Sequence, residues 1–62
     1  MERKVVKVFD GDTGAVDAII YKEVDSIGTT VGYVLNYVIS GKQLAHRDMD
    51  TLIHHYTGGE NP

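Results

Sequence analysis

No cysteine occurs among the 62 residues of this chain, and at that size the absence constrains the fold more than any motif does. A domain this short buries only about 60% of the surface its unfolded chain exposes. Small domains commonly offset that deficit with disulfides, a structural metal or association with another chain. Disulfides and thiolate zinc sites are excluded here. The remaining routes are an efficient core, a metal held by histidine and carboxylate, or self-association. One domain over residues 1–59 with a flexible tail at 60–62 is the expected organisation.

The valine-rich stretch Lys4 to Phe9 reads as a strand. Asp10-Gly11-Asp12-Thr13-Gly14 then supplies aspartates for local hydrogen bonds and glycines for positive φ, a turn signal. With strand character on both sides, a hairpin follows. In the second segment, Val16, Ala18, Ile20 and Val24 share one face at period two, and Ile19 and Tyr21 share the other with Asp17 and Glu23.

The third segment, Thr29 to Ile39, is dominated by β-branched and aromatic residues and reads as a strand. Tyr33, Leu35 and Tyr37 line one face, and Gly32, Val34, Asn36 and Val38 the other. A helix is the alternative, because Ile27, Val31, Val34, Leu35 and Val38 also form an amphipathic stripe. Gly41 to Tyr56 reads as a helix. Ser40 and Gln43 form a capping box, and Ala45, Met49, Leu52, Ile53 and Tyr56 make a continuous apolar stripe. Gly58 and Gly59 end it.

The expected fold is therefore α+β, a three-stranded antiparallel meander followed by a C-terminal helix (βββα), with ββαα as the alternative. One helix covers one sheet face. The other face keeps Ile19 and Tyr21, with either the Tyr33, Leu35 and Tyr37 set or Val34 and Val38, which marks an interaction surface whose candidate residues are Ile19, Tyr21, Val34 and Val38. An obligate or strong homo-oligomer is expected, with a two-fold homodimer as the commonest solution.

The formal net charge is −3, and apart from Arg3, Lys4 and Lys7 the basic residues are scattered, which makes nucleic acid an unlikely partner. No apolar run approaches the roughly 18 residues that span a membrane. Met1-Glu2-Arg3-Lys4 leads into no apolar signal region. The expected location is the cytoplasm.

His46, Asp50 and His54 would fall on one face of the C-terminal helix, a candidate metal set. Asp10 to Gly14 departs from a calcium loop, with glycine at loop position five and Tyr21 at twelve. Thr29 and Thr30, with Tyr33 and Tyr37 following, suit a loop that holds a small nucleotide-like anion, and His54 and His55 are further anion contacts when protonated. No catalytic set is evident: Ser26 and Ser40 read as caps or turn residues, and no enzyme activity or cofactor is expected.

The leading expectation is a small non-enzymatic binding protein acting as a homo-oligomer. It would block a protein partner or sequester a small nucleotide-like ligand between protomers, as accessory inhibitors of phage and mobile elements do. The alternatives are a metal-binding module and a small dimeric DNA-binding regulator, the latter requiring segments two and three to be helical.

Overall fold

A computed structural model describes residues 2–11 and 14–59. Four strands, Glu2–Asp10 (β1), Val16–Val24 (β2), Thr30–Tyr37 (β3) and Gln43–His46 (β4), form one antiparallel sheet in chain order. A short helix, Met49–His54 (α1), and a π-helical turn, His55–Gly59, complete the chain. The class is α+β with a C-terminal helix, as the pattern of residues implies.

The β1–β2 connection behaves as the glycine-rich signal requires. Gly11 N–H donates to Ala15 C=O at 2.8 Å, and Gly14 adopts φ 85°. The central Asp12 and Thr13 of that turn, and the expected tail at 60–62, lie outside the described residues. At the β2–β3 connection, the Asp25 carboxylate accepts from the N–H groups of Ile27 and Thr29 at 3.1 and 2.9 Å, an aspartate turn closed by Gly28 at φ 89°.

Segment three is the strand β3, which removes the ββαα alternative. The larger correction falls on residues 41–48. Instead of a helix from Gly41 to Tyr56, the chain makes a second tight reversal and a fourth strand. Ser40 Oγ accepts from Lys42 N–H at 3.2 Å, Gly41 takes φ 78°, and Tyr37 N–H donates to Lys42 C=O at 2.8 Å. A serine that bonds the backbone two residues ahead serves a turn as readily as a helix cap. The non-local gain is the pairing of Leu44 with Leu35, a contact invisible in the local pattern. The helix begins later, at Asp48, whose Oδ1 accepts from Asp50 N–H at 3.2 Å and whose Oδ2 accepts from Thr51 Oγ1 at 3.1 Å.

The core lies between the sheet and this short helix. Ala18, Ile20 and Leu35 are fully buried with Leu52 against them, and Phe9, Tyr33, Tyr37, Leu44 and Tyr56 pack around the group. Phe9 and Tyr56 stack with ring centroids 4.1 Å apart. Burying a leucine or isoleucine side chain contributes about 1.5–3 kcal/mol, so Ile20, Leu35 and Leu52 carry much of the stability of so small a domain.

Three irregularities shape the sheet. The pairing registers shift between Val5 and Lys7, between Phe9 and Asp10, and between Glu23 and Val24. Each leaves one residue without a cross-strand partner: Val6, Asp17 and Val31. Bulges of this kind re-aim side chains and tighten twist. The one at Val6 places Lys4 and Lys7 on the same face, although an odd spacing in a regular strand would divide them.

Candidate functional site

Helix α1 packs on the side of the sheet that carries Ile20 and Leu35, and no helix covers the opposite side. On that open side the register lines up two rows that cross all four strands. One is Val5, Tyr21, Val34 and Ala45; the next is Val8, Ile19, Asn36 and Gln43. Val5 and Val8 are 56% and 45% exposed, and Ile19 and Tyr21 are half-buried. Beyond the first row, the Arg3 guanidinium Nε donates to Glu23 Oε2 at 2.8 Å. At the second row's far edge, the Gln43 amide reaches Asn36 Oδ1 at 3.4 Å. The open face is thus an apolar band with a polar pair at either margin.

The sequence-predicted interface residues divide on this surface. Ile19 and Tyr21 belong to the band. Val34 belongs to it as well but is already buried at 4% exposure. Val38 follows β3 in the turn, where its N–H donates to Asp17 C=O at 3.0 Å. Val5 and Val8 were not singled out by sequence reasoning, because a strand seen alone does not reveal which of its valines turn away from the helix.

The ligand-binding set is not gathered at one place. Tyr33 and Tyr37 face the helix side and pack on the core, with Tyr37 Oη 3.5 Å from His55 Nδ1. Thr29 and Thr30 lie at the opposite end of β3, exposed, and His54 is exposed on α1. Tyr37 and His55 are therefore neighbours, and the two threonines are remote from both.

The metal set loses the geometry it rested on. His46 belongs to β4 while Asp50 and His54 belong to α1, so the continuous helical stripe does not form. His46 Nδ1 instead accepts from Asp48 N–H at 3.0 Å. Among the described residues no group of three histidine, cysteine or carboxylate side chains is placed to hold a metal. The strand conformation of β2 and β3 likewise removes the two-helix scaffold of the DNA-binding alternative.

Two features escaped sequence reasoning. One is a cleft of about 340 Å³ at the β1–β2 turn, lined by Asp10, Val16, Asp17, Ile39 and Tyr56. The Tyr56 hydroxyl donates to Asp17 Oδ2 at 2.7 Å there. The other is a group of lysines on the helix side: Lys4 pairs directly across from Lys22, and Lys7 across from Ile20. Hairpin arithmetic predicts the first of these pairs, since a reversal centred on Thr13 sets Lys4 opposite Lys22. Among the described residues no helix is long and apolar enough to cross a membrane. Comparison with known proteins finds no matching family model, no matching curated protein and no matching solved structure.

Proposed function

We propose that this chain is a small non-enzymatic binding protein that acts as a homodimer and blocks a protein partner. The observation that carries this reading is the helix-free sheet face, where Val5, Tyr21, Val34 and Ala45 line up across four strands. Sheets packed face to face interdigitate such rows at a separation of about 10 Å. A two-fold arrangement makes the face self-complementary, so one surface serves both protomers.

Protein blocking is favoured over nucleotide capture because Thr29 and Thr30 are separated from Tyr37 and His55. The cytoplasmic, inhibitor-type role expected from the sequence is retained as part of this reading. Light scattering across a dilution series tests the dimer: the expected mass is twice 6.8 kDa. Val5→Glu should return it to the single-chain mass with an unchanged circular dichroism spectrum, since Val5 is 56% exposed within one chain. A wild-type protein of single-chain mass at every concentration would overturn the homodimer.

A further inference from the structure

We infer that the free edge of β1 is a docking strand for an extended acidic segment of the protein partner. The inference rests on the partner-blocking reading and names the chemistry that partner must present.

β1 lies at the outside of the sheet, paired on one side only, by β2. All of its residues except Phe9 are exposed. A nine-residue edge strand offers the N–H and C=O groups of its free side to another strand. The two sides of this strand differ in chemistry. On the helix side stand Lys4 and Lys7 at the middle of the strand, between Glu2 and Asp10 at its two ends, with Lys22 directly opposite Lys4 on β2. On the open side stand Val5 and Val8.

The three lysines carry uncompensated charge among the described residues. None has an ion-pair partner among the described residues, and Lys7 Nζ lies 5.4 Å from the centre of the Phe9 ring. Like charges directly across a strand pair destabilise it, in a chain whose net charge is −3. An incoming strand with alternating acidic and apolar residues would set its carboxylates beside Lys4 and Lys7 and extend the Val5 and Val8 rows with its apolar side chains.

The same charges disfavour a second copy at this edge. An antiparallel β1–β1 pairing with Lys4 opposite Lys7 would set lysine against lysine at both positions. The edge and the open face therefore take different occupants, an acidic strand and a second protomer.

The test uses the full chain and three probes: a capped synthetic peptide alternating valine and glutamate, its valine–glutamine counterpart, and a single-stranded oligothymidylate. The glutamate peptide should bind at least about tenfold more tightly than the glutamine peptide, with the difference lost in concentrated salt. It should slow amide exchange along β1. Lys4→Gln combined with Lys7→Gln and Lys22→Gln, all exposed or half-buried positions, should erase the difference while leaving the weaker binding of the glutamine peptide.

Equal affinity for the two peptides, or protection falling on another element, overturns the inference. So does an oligothymidylate that binds as tightly as the glutamate peptide without protecting β1, which would assign the lysines to nucleic acid. Solution mass measured on the same samples separates the two proposals. Peptide capture by a single-chain species overturns the homodimer and leaves the docking strand. A homodimer that ignores the peptide overturns the docking strand alone.

Discussion

The hydroxyl of Tyr56 donates to the carboxylate of Asp17 at 2.7 Å, joining two residues 39 positions apart in the chain. Asp17 is the residue left unpaired where the β1–β2 register shifts next to Phe9, and the same tyrosine stacks on Phe9. One side chain thus ties the C-terminal turn to the irregular end of the hairpin. Tyr56→Phe keeps the stack and removes the hydrogen bond, at an expected cost of about 1 kcal/mol for a partly buried site. In a domain of this size that corresponds to a fall in Tm of roughly 4–8 °C. Asp17→Asn should give a smaller loss, and the double variant less than the sum of the two, as read by thermal melting.

Leu52 is the one fully enclosed side chain of α1, at 3% exposure, against Ala18, Ile20 and Leu35. Leu52→Ala should cost about 2–4 kcal/mol, through lost burial and the cavity left behind. For a marginal domain that is a large part of the whole. The expected outcome in urea titration is a midpoint moved far toward zero denaturant with β-sheet signal still present at zero urea. An unshifted midpoint would mean that α1 contributes little to the core.

Gly28 is held at φ 89° with open space where a Cβ would point, so the conformation itself, not a clash, calls for glycine. Gly28→Ala should destabilise by about 1 kcal/mol. Asp25→Ala, which removes the acceptor for both Ile27 and Thr29 N–H groups, should do so by a similar amount. Both are exposed-turn effects, and chemical denaturation resolves them from the core variants.

Lys22→Glu replaces the like-charge pair with Lys4 by an opposite-charge pair. It should raise stability by a few tenths of a kcal/mol, an advantage that disappears at about 1 M salt, where screening acts over roughly 3 Å. Equal stability of the two proteins at low salt would show that Lys4 and Lys22 already turn away from each other.

How far the sequence reveals the fold depends on the range of the deciding contacts. β1, β2 and β3, and the turns at Gly14 and Gly28, are announced by neighbouring residues, and the inward face of Ala18, Ile20 and Val24 follows from alternation alone. β4 is not. Ala45, Met49, Leu52 and Ile53 satisfy a helical period, and only the pairing of Leu44 with the buried Leu35 decides against it. The placement of the candidate metal and ligand sets departs from the expected one for related reasons. One assumed a helix through His46, and the other treated sequence neighbours Thr29, Thr30, Tyr33 and Tyr37 as spatial ones along an extended strand, where residues are about 3.3 Å apart. The open apolar face was legible because one helix cannot cover two sides of a sheet.

The anchoring of β1 is uneven along its length. Near its C-terminal end Phe9 is pinned by the Tyr56 ring, and Gly11 is bonded to Ala15. Near its N-terminal end Arg3 is held to Glu23 by an ion pair whose side chains are 45% and 27% exposed. Exposed ion pairs contribute little, whereas a partly buried aromatic stack against the core contributes more. Amide exchange at Glu2 to Lys4 is therefore expected to be faster than at Val8 and Phe9. Such a gradient would give a strand arriving at that edge its firmest alignment beside Phe9, where the aromatic stack sits.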